Sequence, residues 1–141
     1  MDLRKKQRTV VDALEDIKAR DIVVYDTAAL PSMFERVVIA SGDSTRQVKA
    51  LADNVQEKLK AQGVRVVGVE GERASEWILV DFGDLVVHIM HPTVREFYNL
   101  EELWGARKVR LGATQARLKK EAKVKKPAKR RAQAARPRRR R

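Results

Sequence analysis

Cysteine is absent from the chain, which excludes disulfides and any cysteine-based metal or redox site. Aromatic residues are scarce, only 5% of the total, and all of them (Tyr25, Phe34, Trp77, Phe82, Phe97, Tyr98 and Trp104) lie before residue 105. No apolar run approaches the ~20 residues of a membrane-spanning helix, so no membrane partner is expected. The basic start, MDLRKKQRTVV, lacks the apolar stretch of a signal peptide, so a cytoplasmic protein is expected. Acidic residues almost vanish from the C-terminal quarter. Residues 1–106 hold 14 Lys and Arg against 18 Asp and Glu, a balance of −4, whereas residues 107–141 hold 17 against one, Glu121, a balance of +16. The net charge of +12 therefore averages two unlike parts. A mildly acidic globular domain, residues 1–111, is expected before a basic tail, residues 112–141, that is disordered when free.

The richest stretch is EWILVDFGDLVVHIMHPTVREFYNLEELW, residues 76–104. Gly83-Asp84 flanked by apolar and β-branched residues predicts a two-residue hairpin turn. Phe82 then pairs with Leu85, Val80 with Val87 and Ile78 with Ile89. Side chains alternate along a strand, so these six share one face, which must be core. The other face carries Trp77, Leu79, Asp81, Val86, His88 and Met90. That mixture of indole, carboxylate, imidazole and thioether suits a partner-binding surface. A one-residue slip in register would swap the two faces.

Elsewhere, helical spacing of Val10, Val11, Leu14 and Ile17 predicts a helix over residues 8–20. Strands are expected at residues 21–26 and 36–40, with Pro31 breaking the linker between them. Ser41-Gly42-Asp43-Ser44 offers caps to a long helix that ends near Gly63. A third strand covers residues 64–69. Pro92 opens a last helix in which Val94, Phe97, Tyr98 and residues 100–103 can pack. The order is α-β-β-α-β-β-β-α. The long helix suggests a parallel crossover between strands two and three, and the hairpin makes the five-stranded sheet mixed.

The blocks GDSTRQVKALADNV (42–55), GVEGE (68–72), EWILVDFGDLVVHIM (76–90) and VREFYNLEELW (94–104) resemble the ribosomal silencing factor family, also called the Iojap family. The resemblance covers roughly residues 9–111 in order and spacing, and several blocks in register are more specific than one short motif. It implies a compact α/β domain related in fold to nucleotidyltransferases, with no activity implied by the fold. It further implies binding to the large ribosomal subunit through the protein numbered fourteen of that subunit. Steric block of small-subunit joining and lower translation under nutrient limitation would follow, with no chemical step and no cofactor.

The predicted contact is Trp77, Leu79, Asp81, His88, Met90 and Tyr98. Trp77 and Met90 would fill apolar pockets, and Asp81 would pair with a basic group. The resemblance supports the region 77–98, while the choice of face comes from the pairing register. Of the neighbours Phe97 and Tyr98, one is expected to pack inward and the other to reach the rim. In the tail, Lys119, Lys120, Lys123, Lys125, Lys126, Lys129, Arg130 and Arg131 are expected to meet ribosomal RNA backbone, without sequence reading because no aromatic is there to stack on bases.

Other readings are weaker. His88 and His91, three apart at a strand end, point to opposite sides and have no cysteine to complete a metal site. Asp81 and Asp84 sit around a turn, badly placed to converge on magnesium, and Asp84 suits the turn itself. Gly42-Asp43-Ser44-Thr45 lacks the length and lysine of a P-loop and reads as a helix cap. A nucleotidyltransferase-type enzyme and a general RNA-binding protein acting through its tail remain the alternatives. The sequence leaves open whether the free protein forms a homodimer.

Overall fold

The computed structural model describes residues 1–30 and 34–109, so the Pro31 break and the basic tail lie outside the described residues. Helix α1 (Leu3–Asp16) is followed by strands β1 (Arg20–Asp26) and β2 (Arg36–Ser41), then helix α2 (Thr45–Ala61). Strands β3 (Gly68–Glu70), β4 (Trp77–Asp81) and β5 (Leu85–Met90) come next, then helix α3 (Pro92–Tyr98). Two 3-10 turns, Leu100–Leu103 and Gly105–Arg107, complete the described elements. The strands form one sheet in the order β1-β2-β5-β4-β3. Only β2 and β5 run parallel; the other neighbours are antiparallel. This is the expected α/β domain with a five-stranded mixed sheet and flanking helices.

Local chemistry sets the element ends. Helix α1 starts earlier than predicted because Asp2 caps it, its carboxylate accepting from the Lys5 amide at 2.8 Å. It also stops earlier. Lys18 turns left-handed at φ 62, and the Ala19 amide reaches back to the Leu14 carbonyl at 3.0 Å, closing the helix end. At α2, the Ser44 hydroxyl accepts from the Gln47 amide at 3.1 Å, and the Gln47 carboxamide oxygen accepts from the Asp43 amide at 2.6 Å. The Gly42–Thr45 block is thus a reciprocal helix cap. Gln47 also donates to the carbonyls of Ile17 and Lys18, fastening the start of α2 to the end of α1.

Both long helices cover one face of the sheet. Val10, Leu14, Val48, Leu51, Val55 and Leu59 pack with Ile78, Val80, Phe82, Leu85, Val87 and Ile89 in one buried cluster. Each such side chain contributes roughly 1.5–3 kcal/mol by leaving water, so most of the folding energy resides on this face. The hairpin register is the predicted one, with Trp77 opposite Met90, Ile78 opposite Ile89 and Leu79 opposite His88.

Strand β3, which follows α2, runs in the same direction as β2, so α2 makes the expected parallel crossover, although the parallel neighbour bonded to β2 is β5. Helix α2 carries the chain past two strands to β3 at the far edge, and the hairpin then fills the gap. Two expectations need correction, the extent of β3 and the end of the last helix. Strand β3 is only Gly68–Glu70, because Val64 and Val66 pack against the core while closing the connection from α2. The last helix ends at Tyr98, where Asn99 turns left-handed at φ 49 and the chain continues as a 3-10 turn.

Candidate partner-binding face

The second face of the sheet is half covered. Val23, Tyr25, Val37, Ile39, Val86 and Met90 form a smaller buried cluster, roofed by Phe34, Val94, Leu100 and Trp104. The roof is α3 and the segment after it, laid across β1, β2 and β5. The face therefore divides into a covered part and an open strip along β4.

This division sorts the predicted contact residues. Trp77, Leu79 and Asp81 are half-buried on β4, and Tyr98 is 44% exposed. Met90 is fully buried, so it cannot fill a pocket on a partner. The alternation of side chains put it on the correct face, but the α3 roof closes over it. His88 is also buried, at 9% exposure, and works from beneath. Its Nδ1 accepts from the Trp77 indole N–H at 3.0 Å. Burial pushes the His88 imidazole down to about 4, so it is neutral at pH 7. The Trp77 bond then assigns the remaining proton to Nε2. The predicted tail residues, Lys119 to Arg131, lie outside the described residues.

Four rings run in a row out of the sheet. His88 and Trp77 have centroids 5.9 Å apart, Trp77 and Tyr98 4.9 Å, and Tyr98 and Phe97 5.1 Å. Phe97, expected to share one inward and one outward role with Tyr98, is instead 51% exposed, so both reach solvent. The inward positions of α3 are taken by Val94 and Arg95. Glu70, exposed on β3, lies opposite Leu79 and shares its face of the sheet. Asp81 accepts from the Gly83 amide at 2.8 Å, so one of its oxygens holds the hairpin turn while the residue stays half open. Asp84 belongs elsewhere, in a 2.7 Å ion pair with Lys6.

An ion pair between a buried arginine and a half-buried glutamate underlies α3 and was not foreseen. Arg95 donates from Nε and Nη2 to the two carboxylate oxygens of Glu101, at 3.1 and 2.9 Å, and from Nη1 to the Ser41 hydroxyl at 2.8 Å. Burial works against both charges, but each partner outweighs it. Glu101 holds the Arg95 guanidinium above its usual value, and Arg95 holds the Glu101 carboxyl below the usual range. The six-residue spacing matches no helical pair rule, so the sequence carried no signal for it. His91 caps α3, its Nδ1 accepting from the Thr93 amide at 3.2 Å. Among the described residues no three His, Asp or Glu side chains gather where they could hold a metal ion, and no helix is long and apolar enough to cross a membrane.

Comparison with known proteins gives this geometry a family. The family profile described as "Ribosomal silencing factor during starvation" matches residues 1–140. A ribosomal silencing factor of Chromobacterium violaceum is 53% identical over 108 residues, covering 77% of this chain and 88% of that protein. The mouse protein named mitochondrial assembly of ribosomal large subunit protein 1 is 38% identical over 101 residues, 70% of this chain and 44% of that protein. A crystal structure of a Chromobacterium violaceum protein superimposes with a TM-score of 0.74 at 51% identity, covering 80% of this chain and 96% of that one. A Bacillus halodurans structure gives 0.70 at 33% identity, covering 77% and 99%. The chain belongs to the ribosomal silencing factor family.

Proposed function

We propose that this protein binds the large ribosomal subunit through the protein numbered fourteen of that subunit and thereby blocks docking of the small subunit. The action is steric occlusion in the cytoplasm under nutrient limitation, with no bond made or broken. The observation that carries the reading is the row Trp77–Tyr98–Phe97, half-buried at Trp77 and open to solvent at Tyr98 and Phe97, on the same sheet face as Asp81 and Glu70. Rigid aromatics at the centre with acids at the rim fit a basic protein surface. Family membership supports the choice of a ribosomal partner.

The tail adds a second contact in this proposal, through Lys119, Lys120, Lys123, Lys125, Lys126, Lys129, Arg130 and Arg131 on ribosomal RNA backbone. The test is co-sedimentation of the full chain with purified large and small subunits separately, with a subunit-joining assay alongside. The expected result is pelleting with the large subunit alone and inhibition of joining. Equal pelleting with both subunits, or binding without any effect on joining, would overturn the proposal.

A further inference from the structure

Arg95 is the only Lys or Arg among the described residues that is buried, at 5% exposure. Its guanidinium joins three separate places: α3, which carries it, the 3-10 turn through Glu101, and the end of β2 through Ser41. The fork to Glu101 is bidentate, a geometry that fixes orientation as well as distance. A largely buried pair of this kind adds little net stability compared with apolar residues of similar size. Its value must lie in the geometry that it selects. Helix α3 spans seven residues, too short to hold its own shape in water. Yet the end of this helix carries Phe97 and Tyr98, whose rings continue the row begun by Trp77.

We propose that Arg95 and Glu101 are a positioning pair that locks α3 so that Tyr98 rests against Trp77 and Phe97 against Tyr98, leaving the aromatic face formed before the partner arrives. This rests on the partner-binding face proposed above. A pre-formed face spares the complex the cost of ordering two large side chains on contact. Arg95 does not touch the partner; it acts through Tyr98 and Phe97.

The test uses three variants of the full chain. Arg95→Met with Glu101→Leu removes both charges and keeps the volume. Arg95→Lys keeps the charge and loses the fork. Tyr98→Ala tests the face alone. The double variant is expected to melt at or above the wild-type temperature. Its affinity for the large subunit should nonetheless fall about tenfold, the scale of ordering two side chains. Amide exchange at Arg95 and Asn99 should quicken, while exchange at Val87 and Ile89 stays slow. Arg95→Lys should fall between wild type and the double variant in affinity and exchange, without a melting temperature that follows the same order. Tyr98→Ala should weaken binding with the β5 amides still protected. If Tyr98→Ala weakens binding and the double variant binds as wild type, the positioning role is overturned and the face stands. If Tyr98→Ala binds as wild type, the face is wrong and the positioning role falls with it. If affinity in the series simply tracks melting temperature, the pair is a fold element and the proposal is overturned.

Discussion

The Trp77 indole N–H donates to His88 Nδ1 across the β4–β5 hairpin at 3.0 Å. The two residues are diagonal neighbours, since Trp77 faces Met90 and Leu79 faces His88. The bond fixes the orientation of a half-buried indole whose ring lies 4.9 Å from that of Tyr98. A buried histidine thus serves as a fixed acceptor beneath a half-buried indole.

Trp77→Ala should weaken large-subunit binding by ~2 kcal/mol, the scale of an interface hot spot. The main core lies on the other face, so the variant should still fold cooperatively. Trp77→Phe keeps a ring and removes the donor, and should recover part of the affinity. Sedimentation gives the binding and circular dichroism the fold. Loss of folding in both variants would mark Trp77 as a core residue.

His88 makes stability depend on pH with a definite sign. Its folded value of about 4 lies below the ordinary 6.5, so between these values the unfolded chain binds more protons. The contribution is complete above pH 6.5 and is lost as pH falls toward 4. A shift of this size corresponds to about 3 kcal/mol at most. Denaturant unfolding from pH 7.5 to 4.5 should therefore show falling stability. His88→Gln should show a flatter profile over the same range. Parallel profiles would mean that the imidazole is more open to water than its 9% exposure indicates.

What could be read in the sequence follows from which interactions are local. The hairpin was legible because Gly83-Asp84 fixes the turn and alternation then fixes every partner from Trp77 to Met90. The Ser44 cap was legible because its partner, Gln47, is three residues away. The strand order was not, because which neighbour β2 takes depends on the whole sheet closing around β5. The burial of Met90 was not, because its roof comes from Val94, Leu100 and Trp104, placed by a left-handed turn at Asn99. For the same reason the strip of that face left open to solvent is narrower than alternation alone implies.

Arg95→Met alone differs from the double replacement. It leaves the partly buried Glu101 carboxylate without its partner, a loss that should fall below the ~3–5 kcal/mol of a fully buried broken pair at neutral pH. In the wild type Arg95 holds Glu101 below the usual range, so the pair's contribution is lost as pH falls. In the variant burial, the largest influence on this carboxyl, pushes it up against the weaker pull of Lys108 and favours its neutral form at low pH. The deficit against wild type should thus narrow between pH 7 and pH 4 in urea unfolding. A constant deficit would mean that water reaches Glu101 once the guanidinium is gone.

Gly71 holds the loop against β4 at φ +89, and a Cβ there would lie 2.1 Å from the Trp77 carbonyl oxygen. Both the left-handed backbone and the clash with main chain oppose a side chain. Gly71→Ala should cost about 2 kcal/mol or more and shift the start of β4. Its readout is a lower melting temperature together with weaker large-subunit binding, because Trp77 begins that strand. Unchanged melting would show that the loop can move aside freely.

The Val109 amide donates to the Val24 carbonyl at 2.7 Å, and Lys108 bridges to Tyr25. The chain therefore leaves along β1, at the sheet edge opposite β3. Strands β2 and β5 separate β1 from β4, which puts the departure about 14 Å across the sheet from Trp77 at ordinary strand spacing. A contact of the tail with RNA and a contact of the aromatic row with protein would then be separate, and their effects should add. A chain ending at Leu111 lacks 14 Lys and Arg. It should bind the large subunit more weakly at low salt and show a flatter dependence on salt. Each lost phosphate contact removes about 0.7–0.9 from the slope of log affinity against log salt. It should still block subunit joining when supplied in excess, and Trp77→Ala should cost the same in both lengths of chain. Equal salt slopes would mean that the tail makes few phosphate contacts. Loss of all inhibition at saturating truncated protein would mean that the tail, not the folded domain, carries the function.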